Sequence, residues 1–437
     1  MKKGNVTALL PIGVFLVLYL GLGILFEYFL NIPMGFYNIP IVVAFLAALL
    51  VACLQNRSLN LDKKLEIMGQ GVGDKNIFTM ILIFLEAGIF VGVVGRGSAE
   101  SVAYFMLSVI PAQFSVMVLF VVSCFVSLAM GTSVGTITLI TPIAVAVSRA
   151  SGFDMPLCIA TVIGGSMFGD NLSFISDTTI AACNGQGCRI KDKFKENFFI
   201  ALPAAIVTLA ILLVISLNSE INGSVTNDYN LIQIIPYLLV LVGGILGVNV
   251  FVVLLIGIVS GSVIMLATGS TQATELLGSM GAGASGMFET IIVTILVSAI
   301  CALIREYGGF DALLNGIKKV FHGKRGGQVG MGILVGVLDI ATANNTVAIV
   351  MANPIANEIA KDYNITPRKA ASILDTFSCV FQAILPYGAQ MLVAISAATA
   401  LDAHISAFEI ISKLFYPFFL CISSLVAIMY SRSESVN

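Results

Sequence analysis

Phe168-Gly169-Asp170-Asn171-Leu172-Ser173-Phe174-Ile175-Ser176-Asp177-Thr178-Thr179 is a polar stretch set inside a long apolar run. Hydrocarbon offers no water to solvate two carboxylates and a row of hydroxyls, so such a stretch is costly unless it has a use. The expectation is a site for a cation or a proton.

The surrounding composition fixes the setting. Hydrophobic residues make up 58% of the 437 and charged residues 11%, more apolar surface than a soluble core can bury. The expected class is an all-α polytopic membrane protein. The first apolar run, about residues 8–30, is too long for a signal-peptide core and is followed by no small-residue cleavage pattern, so it is expected to stay as the first span. Further runs lie near 39–54, 76–95, 156–183, 197–217, 288–305, 368–402 and 408–430, at roughly 20 residues per crossing. The run from Ile234 to Leu266 is interrupted at Gly247-Val248-Asn249 and reads as two short helices around a tight turn, which gives about ten spans. Two segments, about 115–149 and 327–361, are apolar at both ends and polar in the middle: Gly131-Thr132-Ser133 in one, Thr342 and Asn344-Asn345-Thr346 in the other. A re-entrant helical hairpin fits that pattern.

A shift of 212 positions lays the chain on itself. Thr141-Pro142-Ile143-Ala144 falls on Asn353-Pro354-Ile355-Ala356, Ser166 on Ser378 and Gly97 on Gly309. The polar breaks coincide without a gap, and Asp170–Asp177 falls on Gln382–Ala389, which contains Pro386-Tyr387-Gly388. Two repeats are expected, 1–217 and 218–437. Each holds a hairpin (about 115–149, about 327–361) followed by a helix broken in mid-span (about 156–183, about 368–402).

Lys and Arg collect in short cytoplasmic loops. Lys2, Lys3, Arg57, Lys63, Lys64 and Lys75, then Arg189, Lys191, Lys193 and Lys195, mark loops expected to face inward, whereas 31–38 and 218–232 carry no Lys or Arg and should face outward. Five spans per half start the second half from the opposite side, which puts Lys318, Lys319, Lys324, Arg325, Lys361, Arg368 and Lys369 inside; Arg96 and Arg149 are exceptions. The repeat is therefore read as inverted (5+5), in the cytoplasmic (inner) membrane, with both termini in the cytoplasm.

Inverted repeats with interrupted helices are how many secondary transporters build a site at mid-membrane. Unwound backbone is tolerated there because it lines a wet cavity or binds an ion. Gly131, Gly135 and Gly169 are expected to permit the sharp backbone, and Thr132, Ser133, Ser173 and Ser176 to supply the oxygen ligands that a hard cation prefers. Asp170 and Asp177 are candidate charge partners, for which H+ and Na+ would compete because burial disfavours the bare charge. Asp177 could equally cap the second half-helix, and Asp170 could pair with a backbone amide. Glu86 in the third span, Asp339 just before the second tip and Asp375 in the ninth span are further candidates for moving ions or protons. Asn344, Asn345, Thr346, Gln382 and Tyr387 are candidates for contacting a solute, although Asn also suits a plain turn.

Other features carry no chemistry. Gly281, Gly283 and Gly286 spell GxGxxG, but no strand precedes them, so no dinucleotide site is expected. There is no Walker-type phosphate loop, no Ser-His-Asp set with His322 and His404 both at loop ends, and no basic run for nucleic acid. Neither an enzyme nor a cofactor is expected. Cys53, Cys124, Cys301, Cys379 and Cys421 read as small hydrophobes, and Cys183 and Cys188 as reduced thiols without further metal ligands.

The run Gly169-Asp170-Asn171-Leu172-Ser173-Phe174-Ile175-Ser176-Asp177-Thr178-Thr179, continuing to Gly187-Cys188-Arg189-Ile190-Lys191-Asp192-Lys193-Phe194, resembles the signature of the NhaC family of Na+/H+ antiporters, part of a larger superfamily of ion transporters. The resemblance covers the membrane domain in length and layout. It implies two opposed hairpins and ion binding between their tips and the following breaks. On this chain that places Na+ at Thr132, Ser133, Asp170, Ser173, Ser176 and Asp177, with Asn344, Asn345, Thr346 and the Gln382–Gly388 break in the second half. Where family members often carry Pro in the first break, this chain has Phe174 and Ile175.

Two functions follow as expectations. One is secondary active exchange of Na+ for H+. The other is Na+- or H+-coupled transport of a small amino acid or organic acid, which the amides of the second half suit. The absence of Lys or Arg deep in the spans speaks against a dicarboxylate clamp, and a channel is disfavoured by the repeat. An elevator-type homodimer in the lipid bilayer is the expected assembly.

Overall fold

The computed structural model describes residues 4–30, 39–174, 176–219, 229–246 and 248–430. Lys2, Lys3, the 31–38 loop, most of the 218–232 loop, Ile175, Gly247 and both chain ends lie outside the described residues, as do the side chains of Arg96 and Lys318.

Every regular element among the described residues is helical. In chain order they are α1 (Val6–Ile24), α2 (Ile41–Leu54), α3 (Leu61–Val72), α4 (Lys75–Val109), α5 (Ser115–Met130), α6 (Ser133–Ser151), α7 (Met155–Leu172), α8 (Asp177–Gln186), α9 (Ile190–Asn218) and α10 (Leu231–Ile245). There follow α11 (Val250–Ala267), α12 (Ala273–Gly286), α13 (Phe288–Glu306), α14 (Gly309–Val320), α15 (Gly323–Thr342), α16 (Asn345–Asp362), α17 (Pro367–Ile384), α18 (Ala389–Thr399), α19 (Ala407–Ile411) and α20 (Phe415–Met429). Among the described residues eight helices are long and apolar enough to cross a membrane, nine if the pair bent by 114° after Val109 is one span, and α2, α10 and α20 are shorter apolar helices. The chain is an all-α, multi-pass membrane protein.

The hairpins stand where the polar interruptions put them. α5 ends on Gly131 at φ 68, and Thr132 then caps α6 by accepting from Gly135 N–H. α15 ends on Ala343 at φ 48, and Asn344 caps α16 by accepting from Val347 N–H. A left-handed residue followed by a side-chain cap closes both turns, because it satisfies backbone groups that a helix end leaves open. The two broken helices are α7/α8, the first ending at Leu172 and the second beginning at Asp177, and α17/α18, interrupted at Leu385–Gly388.

Of the three glycines expected to permit sharp backbone, Gly131 does so; the other two have a different task. Gly169 lies inside α7, where an added Cβ would meet Leu128 N at 2.4 Å and Cys124 O at 2.5 Å. Gly135 lies inside α6, where a Cβ would meet Val250 Cγ2 at 2.6 Å. Both serve close helix approach, as do Gly88 on α4 and Gly283 on α12, each of whose Cβ positions falls about 2 Å from the other's carbonyl oxygen. The glycines of the apparent dinucleotide motif are thus in a helix with a packing partner. Arg149, the exception to the charge rule, sits in the last turn of α6 and donates to Leu401 O at 2.5 Å.

Among the described residues two large hydrophobic cores form, beside a small cluster of Ala8, Ala52, Leu303 and Tyr307. One gathers α4–α7, α9–α11 and α18; the other gathers α1, α2, α13, α15 and α16, with α17 contributing to both. α8 sits apart from its own half: Ala182 belongs to the second core, and Asn353 and Asn357 of α16 donate to Ala181 O (2.9 Å) and Gly185 O (3.2 Å).

Candidate functional site

Both hairpin tips and both breaks face one cavity of about 320 Å3. The first tip contributes Thr132 and Ser133, the second Asn344, Asn345 and Thr346. The first break contributes Asp170, Ser176, Asp177 and Thr178; the second contributes Gln382, Ala389 and Gln390. Lys75, Thr79, Met80 and Ile83 of α4, with Asn249, close the remaining wall.

Asp170 is the pivot. It is 4% exposed, in the last turn of α7, and both carboxylate oxygens accept hydroxyls: Ser133 Oγ donates to Oδ2 at 2.7 Å and Ser176 Oγ to Oδ1 at 2.5 Å. Charge-assisted bonds of this kind are short and strong. The network runs on in both directions. Ser176 meets Thr178 Oγ1 at 2.8 Å, and Gln390 Nε2 donates to Ser133 Oγ at 3.1 Å. Gln382 Nε2 donates to Gln390 Oε1 at 2.6 Å and to Ala343 O, at the second tip, at 3.1 Å. One chain of hydrogen bonds therefore crosses both breaks and both tips.

Asp177 has a different environment. It is the first residue of α8, exposed at the cavity, with Lys75 within electrostatic reach. Ser176, not Asp177, holds the N-cap position of α8, and no side chain caps that helix. The capping alternative for Asp177 is thereby replaced by a carboxylate that faces the cavity.

Nine of the candidates named from sequence line this cavity, and five do not. Ser173 is buried beside it, its N–H bonded to Asp170 O at 3.3 Å. Tyr387 donates to Ile340 O at 2.7 Å and meets Phe15 and Phe45 edge-on, holding the second break against α15 and the first two helices. Asp339 is buried within α15 and neither carboxylate oxygen has a hydrogen-bond partner. Glu86 is buried on α4 with Oε2 unpartnered. Asp375 is 0% exposed and pairs with Lys193, itself 1% exposed.

That pair corrects two expectations. Lys193 does not mark a solvent-facing loop, and a cationic side chain does lie deep in the protein. α9 begins at Ile190, so Lys193 falls on its first turns and points inward while Lys191 and Lys195, two residues to either side, face out.

Comparison with known proteins fixes the family. The model of a family described as the Na+/H+ antiporter family matches residues 6–217 and 229–433. The chain belongs to the Na+/H+ antiporter family. Within its range of relatives, the chain is 23% identical over 396 residues to the Na+/H+ antiporter NhaC of Bacillus subtilis, covering 82% of this chain and 84% of that one. It is 20% identical over 424 residues to NhaC of Alkalihalophilus pseudofirmus, covering 90% and 89%. A malate-2H+/Na+-lactate antiporter of B. subtilis is 24% identical over 216 residues, about half of this chain and 45% of that one. The solved structure of the Alcanivorax borkumensis YdaH transporter aligns with a TM-score of 0.45 at 14% identity, over 85% of this chain and 89% of that one.

Membership in an antiporter family gives the oxygen-lined cavity its context, and among the residues not named as candidates from sequence are Gln390 and Thr178, which line it, and Lys193, which does not. Gln390 lies one residue past the window read as the second break, Thr178 had been read only as a neighbour of Asp177, and Lys193 was assigned to a basic loop. The signal for Lys193 was present: Asn197, one turn later, shares its face and bonds the same groups.

Proposed function

We propose that this protein exchanges Na+ for H+ across the cytoplasmic membrane, the two ions competing for Asp170. The observation that carries the reading is the buried Asp170 carboxylate, held by two serine hydroxyls at the meeting point of hairpin tip and helix break. With Na+ absent the hydroxyls donate to the carboxylate. With Na+ present the same hydroxyls rotate to offer lone pairs, and the carboxylate, Ser133, Ser176 and freed backbone carbonyls make an oxygen shell suited to a hard cation. A proton on Asp170 removes the charge that holds Na+, which is the minimum requirement for exchange.

The layout supports a two-repeat mechanism. The same offset that aligns the two halves carries Gly131 to Ala343, the cap Thr132 to the cap Asn344, Pro142 to Pro354, and the cap Ser176 to the cap Gly388. We read 1–217 and 218–437 as inverted repeats that move in elevator fashion, in a homodimer with both termini in the cytoplasm. Neither an enzymatic step nor a cofactor belongs to this mechanism; Na+ and H+ are cargo.

A second reading, coupled transport of a small organic acid or amino acid, is favoured by the cavity itself. Its ~320 Å3 sits at the lower end of the range for small-molecule pockets and far exceeds one ion, and amides of Asn344, Asn345, Gln382 and Gln390 line it. Purified protein in liposomes with an internal pH dye separates the two. Proton movement on adding Na+ alone, lost in Asp170→Asn, is expected. Silence toward Na+, Li+ and K+ together with Na+- or H+-dependent uptake of one carboxylate or amino acid from a panel would replace exchange by symport.

A further inference from the structure

We propose that the ammonium of Lys193 fills a second monovalent-cation position at the first break, supplying the fixed charge that neutralises Asp375 and leaves Asp170 to answer to the transported ions. The inference deepens the exchange reading and rests on it only for the role of Asp170.

The position is built of oxygens. Lys193 Nζ donates to Asn171 O at 2.6 Å, to Thr179 Oγ1 at 2.7 Å and to the Asp375 carboxylate, which accounts for all three of its protons. Asn171 O belongs to the last turn of α7, where carbonyls lack a helical partner, and Thr179 lies in the first turn of α8. A carbonyl, a hydroxyl and a carboxylate gathered from two half-helices and α17 make the donor set that a hard cation takes.

Oxygen is also in excess there. Asn197 Nδ2 donates to Asn171 Oδ1 at 2.8 Å, to Asn171 O at 3.2 Å and to Asp375 Oδ2 at 3.4 Å, yet Asn197 Oδ1 and Asp375 Oδ1 are buried without any partner. The ammonium's three protons cannot reach every acceptor that the site presents. A cation accepting more than three ligands would leave fewer of them unmet.

The charges themselves need a reason. A buried ion pair usually returns less than its desolvation costs, so an apolar pair would hold α9 to α17 more cheaply. Lys193 instead pins the peptide next to Asp170. The titratable groups within electrostatic reach of this pair are Asp170 on α7, Cys183 on α8, Cys188 ahead of α9, Cys379 on α17 and Tyr416 on α20. Lys193 supplies the positive charge among them. Lys193 is therefore a positioning residue, acting on the ion site through charge and backbone.

The test compares wild type, Lys193→Met, Asp375→Asn and the double variant Lys193→Met/Asp375→Asn. Bound radiolabelled Na+ is counted on monodisperse protein in detergent, and the pH profile of exchange is taken in liposomes. Lys193→Met is expected to bind one more Na+ than wild type, because Asp375 recruits a cation in place of the ammonium. At Na+ concentrations too low to fill that position, its half-maximal exchange should move up by about one pH unit, since Asp375 is then unneutralised and a bare carboxylate nearby favours the protonated form of Asp170. The double variant should recover both the wild-type count and the wild-type profile. A wild-type count and profile in Lys193→Met, or loss of Na+ binding in the double variant, overturns the proposal. Should Lys193→Met fail to fold, the double variant decides alone by the same readouts. Wild-type protein that binds Na+ but moves no protons sinks the exchange reading while leaving the count comparison in force.

Discussion

Ser133 Oγ donates to Asp170 Oδ2 at 2.7 Å, joining residues 37 apart in sequence and making the first hairpin tip and the next helix break share one carboxylate. Losing such a bond to a charged group costs about 1.5–3 kcal/mol in a dry site, and the cavity lets water replace part of it. Ser133→Ala is therefore expected to raise the Na+ concentration for half-maximal exchange about ten-fold with maximal rate nearly kept, and Asp170→Asn to abolish exchange. An unchanged Na+ dependence in Ser133→Ala would remove that hydroxyl from the ion shell.

The two aspartates of the first break should separate in kind. Asp177 is exposed and Asp170 buried, so Asp177 draws cations toward the site through solvent and is screened by salt. Asp177→Asn is expected to lower apparent Na+ affinity at low ionic strength and to approach wild type as an impermeant salt is raised. Complete loss of exchange at every ionic strength would move the carrier role to Asp177.

Gln382 and Gln390 connect the second break to Ser133. Because members of one network do not act independently, Gln390→Ala and Ser133→Ala should be non-additive in a double-mutant cycle on Na+ affinity, with a coupling of about 0.5–3 kcal/mol. Additive effects would cut the chain of hydrogen bonds at that step.

Gly169 adjoins Asp170 and packs on α5 with no room for a methyl group. Gly169→Ala should destabilise by about 1–3 kcal/mol, read as a lower melting temperature of detergent-solubilised protein, and should weaken Na+ binding by displacing Asp170. A melting temperature equal to wild type would show that α5 and α7 can part without consequence.

Much of this was legible in the sequence, for one physical reason: polar residues inside apolar runs are too costly to be accidental. That logic located Thr132, Ser133, Asp170, Ser176, Asn344 and Gln382 at one cavity. It failed where two rules overlapped. Lys193 sits among Arg189, Lys191 and Lys195, so loop charge statistics absorbed it, and only helical period could have turned it inward. Helix α12 went unforeseen because its alanines, glycines and serines carry little hydropathy; what holds it is backbone contact with α4 through Gly283 and Gly88. Tyr387 looked like a ligand because it interrupts a span, but its hydroxyl is spent on Ile340 O.

The arms of the hairpins are cross-laced. α16, returning from the second tip, packs on α8, the half-helix after the first break; α6, returning from the first tip, packs on α18, the half-helix after the second. Gly185 admits no side chain because Asn353 fills its place at 2.0 Å. Each half-helix is thus a hostage held by the other hairpin, and the chain cannot be cut into two self-sufficient pieces at its midpoint. Whatever pulls on the second tip tugs the half-helix that follows Asp170, so an ion held at Asp170, as proposed above, would be reported to the far hairpin by mechanical contact, with no messenger in between.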